Sequence, residues 1–246
     1  MKKKQPLLSI VILSVLSRYE HLQKLITNLR GQILKDGLSE KIEIVLYVDN
    51  FEKTVGEKTQ IALDKSNGRY ACGIGDDDEI SDDYCKEIIK AIETTNADHI
   101  TFDVKVIDNK IDNHTRIECS INNKLTPSYI WGFPSLTKGK FFGLIRGIKY
   151  YTHTFMVTKL DKVKELAEFP YTNTGSDEAY YDKMYEKKLL KTEHKIEKEL
   201  YVYHMDEKVS LCNSSTLEFN RLLEKNKKLP EKFFIPTEKI NILNLS

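Results

Sequence analysis

Hydrophobic and polar positions alternate along this chain with two distinct periods. Leu8-Ser-Ile-Val-Ile-Leu is a nearly unbroken apolar run, as expected of a parallel strand covered on both faces. Leu22, Leu25, Ile26, Leu29 and Ile33 then recur at helical spacing, and Gly37 closes that helix. Lys41-Ile-Glu-Ile-Val-Leu-Tyr-Val-Asp49 predicts a second strand that ends on a carboxylate. A short helix follows from Gly56 to Ser66, then a turn at Asn67-Gly68 and a third strand over Tyr70–Ile74. Asp76-Asp77-Asp78-Glu79 comes at once, and Ser81 is placed to cap a helix running through Glu93. His99–Val106 alternates cleanly and predicts a fourth strand.

The second half is less regular. Residues 109–128 read as a polar loop or hairpin, and Trp131–Gly143 as a glycine-punctuated aromatic loop. Thr154–Val157 predicts a short strand and Lys159–Phe169 a helix. Another helix opens at Gly175-Ser-Asp-Glu and runs to Leu190. Lys198–His204 is a strand, and from Ser214 onward the pattern is a charged helix and tail. Strands alternating with helices predict an α/β fold with a largely parallel central sheet. Ligands in such sheets bind beyond the carboxyl ends of the strands, where Asp49 and Asp76–Asp78 fall.

Composition narrows the function classes. With 246 residues and 40% hydrophobic content, the chain can bury a sizeable core as one domain. A net charge of +1 provides no overall field for nucleic acid or an anionic membrane. Cys72, Cys85, Cys119 and Cys212 form no Cys-x-x-Cys pair, which excludes a zinc ribbon. Scattered free thiols fit a reducing, cytoplasmic setting. Lys2–Lys4 ahead of an apolar run has the shape of a secretory leader. No small-x-small cleavage site follows, so the run is read as the first strand.

The acid run is the chief candidate for chemistry. Adjacent carboxylates repel unless something neutralises them. Hard divalent cations want such oxygens, and Mg²⁺ or Mn²⁺ held by one or two carboxylates plus a diphosphate is a common arrangement. A solvated acidic helix start is the competing reading. An EF-hand is excluded, because Ile80 and Ser81 fall where a ligand and a glycine are needed. There is no phosphate-binding P-loop, and Gly73-Ile-Gly75 lacks the third glycine of a dinucleotide fingerprint.

Leu8-Ser-Ile-Val-Ile-Leu, Glu43–Asp49, Gly56-Glu-Lys-Thr-Gln-Ile-Ala-Leu and Lys65–Asp78 together resemble a family 2 glycosyltransferase of the GT-A fold. The resemblance covers residues 7–105 well and 150–205 loosely. It implies one domain with a nucleotide-sugar half (1–105), an acceptor half (106–210) and a C-terminal helix and tail (211–246). It also implies inverting, metal-dependent transfer from a UDP-sugar. Asp49 then matches the reader of the uracil edge, and Lys58 a position near base and ribose. Asp76 and Asp78, with Asp77 between, match the Asp-x-Asp pair that meets ribose and metal. Ser14 and Arg18, after the first strand, join the donor contacts. Asp177 matches the catalytic base, with Glu178 one residue away. His204 matches an extra metal ligand in some relatives, and His153 a polar group near acceptor or diphosphate. A core position is the alternative for His204, and a core or turn position for His153. Gly75 departs from the pattern, since many members have a further aspartate there.

Lys138, Lys140, Arg146 and Lys149 are candidates for a lid over the phosphates, and Trp131 and Phe133 for stacking on a sugar or base. Ordinary surface and core are the alternatives. The acceptor expected is a glycan, a lipid-linked sugar or a nucleic-acid base. A transferase acting on nucleic-acid bases and an inactive binding module of the same fold are the rival functions.

Overall fold

A computed structural model describes residues 5–108, 116–123, 148–166, 176–205 and 243–245. The candidates Trp131, Phe133, Lys138, Lys140 and Arg146 lie outside the described residues, as do the Lys149 side chain and most of the C-terminal tail.

The apolar run forms β1 (Leu8–Val15), and the helical pattern after it forms α1 (Tyr19–Lys35). Then come β2 (Ile42–Asp49), α2 (Val55–Lys65) and β3 (Tyr70–Gly75). β1 lies between β2 and β3 and pairs in parallel with both, with Val15 opposite Asp49 and Leu13 opposite Gly75. That register brings the ends of the three strands to one edge. Beyond β3 come β4 (Glu79–Ile80), α3 (Tyr84–Thr94), β5 (His99–Asp108) and β6 (Arg116–Cys119). The second half adds β7 (Ile148–Tyr150), β8 (Val157–Lys159), α4 (Leu160–Lys164), α5 (Ser176–Glu186), β9 (Glu193–Met205) and β10 (Leu243–Leu245).

Among the described residues the strands form one mixed sheet, in the order β10-β2-β1-β3-β8-β5-β6-β7, with β9 beside β5 and β4 on β9. The parallel character expected from sequence holds in β2-β1-β3 and in the long β5–β9 pair. Between them β8 runs antiparallel to both β3 and β5. The α/β GT-A architecture is therefore present.

Alternation along the central strands divides the core between two faces. Ile10 and Ile12 of β1, Ile44 and Leu46 of β2 and Cys72 of β3 join Leu25 and Leu29 of α1 and Ile88 and Ile92 of α3 in one cluster. Val11, Val45 and Ala71, one residue out of phase, join Ala62 and Leu63 of α2 and Tyr180 and Met184 of α5 in another. Each fully buried aliphatic side chain contributes roughly 1.5–3 kcal/mol over exposure, so a one-residue slip of β1 would exchange both faces.

Several boundaries differ from the sequence reading. α2 starts at a capping box, in which Thr54 Oγ1 accepts from the Glu57 N–H and the Glu57 carboxylate accepts from the Thr54 N–H. α3 starts at Tyr84 with Asp83 as N-cap, because Glu79 and Ile80 pair with Val202 and Tyr201 of β9 instead of entering the helix. Ser81 accordingly hydrogen-bonds to the Asp83 carboxylate rather than capping the helix. α4 is shorter than the expected 159–169 helix. α5 ends at Glu186, just before Lys188 takes a left-handed φ of 49°. No described helix is long and apolar enough to cross a membrane, and Cys72, Cys85 and Cys119 are buried free thiols.

Candidate active site

The end of β3 delivers the acid run to the edge of the sheet, and two separate segments take hold of it. From the β1–α1 junction, Ser14 Oγ donates to Asp76 Oδ2 at 2.5 Å. Arg18 Nη2 stands 2.8 Å from Asp76 Oδ1 and 2.6 Å from Asp77 Oδ2. From β9, the Tyr201 hydroxyl donates to Asp78 Oδ2 at 2.6 Å, and the main-chain N–H of His204 donates to Asp78 Oδ1 at 2.9 Å. The Tyr201 hydroxyl also accepts from the Gly75 N–H at 3.0 Å. Tyr201 had no local signal in the sequence; its position opposite Ile80 through the β4–β9 pairing brings it here.

Close packing leaves no room for a side chain at Gly75. A Cβ built there would clash with the Asp78 carboxylate and lie 3.2 Å from Asp77 Oδ1. The tight turn after β3 therefore admits no side chain at residue 75 while Asp78 folds back over it.

The carboxylates are deep. Asp76 is 4% exposed and Asp78 9%. Burial raises the Asp76 carboxyl above its usual range, while Arg18 and Ser14 pull it back. Burial, reinforced by Asp77, pushes Asp78 up to about 7, against the hydrogen bonds from Tyr201 and His204. This is no solvated helix start. The charges are costly where they sit, and a cation would relieve that cost.

The donor set consists of hard carboxylate oxygens, which suits Mg²⁺ or Mn²⁺. Among the described residues no three His, Cys, Asp or Glu side chains converge as a complete cage. Asp76 and Asp78 would have to share a cation with ligands from a diphosphate. His204 meets the acid run through its main chain; its imidazole Nε2 lies 3.2 Å from Glu79 Oε1 without an aligned hydrogen bond.

The structure brings Asp49 and Lys58 together as a pair. Lys58 Nζ donates to Asp49 Oδ1 at 2.9 Å, with both side chains almost wholly buried. Asp49 also accepts the N–H groups of Phe51 and Lys53, which holds Phe51 at a left-handed φ of 63°. Asn50 was not singled out from sequence. Its Oδ1 is buried without a hydrogen-bond partner, an unmet acceptor beside Asp49.

His153 lies inside an aromatic stack. Its ring is 3.8 Å from that of Phe155, and Tyr181 of α5 stacks on it at 5.9 Å. Phe155 in turn packs at 4.9 Å on Tyr201. The stack thus runs from α5 to the hydroxyl that holds Asp78. Thr152, just before it, keeps a buried Oγ1 without a hydrogen-bond partner.

Asp177 and Glu178 occupy the first turn of α5, and their side chains lie outside the described residues. Their helical positions differ. Residue 177 leads the row of Tyr180, Tyr181 and Met184, all buried. Residue 178 leads the row of Tyr181, Asp182 and Tyr185, of which the last two are only partly buried.

No family model matches this chain, and no curated protein does. Solved structures share the fold. S. aureus TarS superposes with a TM-score of 0.55 at 13% identity over 81% of this chain. This chain spans 37% of the length of that TarS chain. TarS 1–349 in complex with UDP-GlcNAc gives 0.52 at 14% identity, covering 91% of this chain and 68% of that one. Its complex with UDP gives 0.51 at 14% identity, covering 91% and 67%.

Proposed function

We propose that this chain is a metal-dependent, inverting glycosyltransferase of the GT-A type that moves a sugar from a UDP-sugar to an acceptor hydroxyl. The observation that carries this reading is the buried acid run at the end of β3, gripped from β1–α1 and from β9. It occurs on a fold shared with TarS, whose structures contain UDP-GlcNAc and UDP.

Asp76 and Asp78 would hold the cation, which when bound neutralises the charge that develops on the departing diphosphate. Ser14 and Tyr201 keep the two carboxylates in place. Asp49 and the adjacent Asn50 offer acceptor oxygens to the edge of the uracil. Asp177, at the head of the buried row of α5, takes the proton from the acceptor hydroxyl as that oxygen attacks the anomeric carbon. Glu178, one residue round the helix, is the alternative base.

Calorimetry of UDP binding with Mn²⁺ and with EDTA tests this reading. Binding should require the metal in the parent and vanish in Asp78→Asn, whose fold is checked by circular dichroism. Equal UDP affinity in EDTA would remove the metal from the mechanism.

A further inference from the structure

The acid run already has a cation. Arg18 Nη2 lies within ion-pair distance of both Asp76 and Asp77, and its side chain is only 13% exposed. A guanidinium normally grips a carboxylate through parallel N–H···O bonds. Here Nη2 and Nε are buried, and neither makes an aligned hydrogen bond. Charge holds Arg18 in place, and geometry does not.

We infer that Arg18 is a resident counter-ion that must leave these carboxylates before a divalent cation can take them, so that metal enters together with a nucleoside diphosphate. This rests on the reading of the acid run as a metal–diphosphate site. Asp76 Oδ2 accepts from Ser14, and each Asp78 oxygen accepts one hydrogen bond, from Tyr201 or the His204 N–H, which leaves each a further lone pair. Asp76 Oδ1 and the Asp77 carboxylate face the guanidinium. Two cations on one carboxylate oxygen repel at the separation where the Coulomb term is largest. Arg18 can yield because it stands at the junction of β1 and α1 on a long flexible stem. It is the N-cap of α1, whose first turn receives no side-chain cap. A diphosphate arriving there meets helix N–H groups and gives the released guanidinium a new anion. The nucleotide-free protein is thereby protected from filling its site with metal alone.

The test is calorimetry with Mn²⁺ alone, without nucleotide, on the parent, Arg18→Gln and Arg18→Lys, each checked for folding by circular dichroism. Arg18→Gln should bind Mn²⁺ about tenfold or more tightly than the parent. Arg18→Lys, which keeps the charge, should stay close to the parent. With UDP present the order should reverse, Arg18→Gln losing UDP affinity. Equal or weaker Mn²⁺ binding by nucleotide-free Arg18→Gln overturns the inference, as does no binding by either protein. Should the variant not fold, the parent answers through the Arg18 Nε–H signal in NMR. That signal should shift with Mg²⁺ plus UDP and stay put with UDP in EDTA; an unmoved signal overturns the inference. UDP binding that ignores EDTA counts against the metal reading itself. Metal-dependent UDP binding with no gain in Arg18→Gln counts against Arg18 alone.

Discussion

The Tyr201 hydroxyl and the Asp78 carboxylate are 2.6 Å apart across 123 positions of sequence. The same hydroxyl accepts the Gly75 N–H, so one oxygen ties both ends of the turn that carries the acid run. Tyr201→Phe should strand a buried carboxylate oxygen and a main-chain N–H. A loss of about 1–3 kcal/mol is expected, read as a lower urea midpoint at unchanged slope. Metal-dependent UDP binding should weaken as well. A variant that lost stability but bound Mn²⁺ and UDP like the parent would reduce Tyr201 to packing.

Acid and base titration should pull stability in opposite directions. Asp78 titrates at about 7 in the folded chain, because of its burial and of Asp77. An unfolded aspartate titrates at about 3.9. Between those values the native state holds a proton that the unfolded state has lost, so metal-free stability falls as pH rises. His99 behaves oppositely: burial lowers it to about 3, against about 6.5 unfolded. Its contribution is complete above the unfolded value and is lost as pH falls through this window. Asp78→Asn should therefore leave the His99 slope alone, with stability rising more steeply from pH 4 to 7 than in the parent. Melting temperatures in metal-free buffer decide; parallel profiles would refute the assignment to Asp78.

Asp49 and Lys58 form an almost fully buried pair, so breaking it should unsettle the fold as well as any base recognition there. Removing one partner of such a pair costs about 3–5 kcal/mol. Asp49→Asn and Lys58→Met should each destabilise strongly, and the double variant should cost far less than the two together. Asp49→Asn should also lose discrimination between UDP and GDP. Unchanged discrimination would leave Asp49 a structural residue only.

A base that touches only the acceptor should leave donor binding intact. Asp177→Asn is expected to lower turnover by about 10²–10⁴-fold with little change in UDP-sugar affinity. Glu178→Gln, in the less buried row of α5, should cost much less. A fully active Asp177→Asn enzyme would exclude that residue, and a dead Glu178→Gln beside it would move the role by one position.

The parts of the fold visible in the sequence are those where local pattern and tertiary environment agree. The apolar runs of β1 and β2 and the helical stripe Leu22–Ile33 are buried in the structure where their periods put them. The acid run was legible because it directly follows a strand. The long-range partners were not. Nothing near Tyr201 announces a partner at Asp78, and the two residues of β4 are too few to show a period. β9 was expected at 198–204 but begins at Glu193; its register against β5 slips on either side of Asp103, which breaks simple alternation. The Thr54-x-x-Glu57 capping box carries its own local spacing signal. Arg18 was legible only as a residue after the first strand, because its ion pairs depend on how β1 and β3 align.

The three residues of β8 have a consequence for how this chain is made. Tyr70 and Ala71 of β3 pair with Lys159 and Thr158, and His99 and Ile100 of β5 pair with Thr158 and Val157. During synthesis β1, β2 and β3 leave the ribosome long before that bridge exists. Until Lys159 emerges, the β3 edge offers unpaired N–H and C=O groups from a largely apolar strand, which is a template for pairing with another nascent chain. A fragment ending after β5 would keep that open edge permanently, and self-association rather than an independently folded monomer is its expected fate.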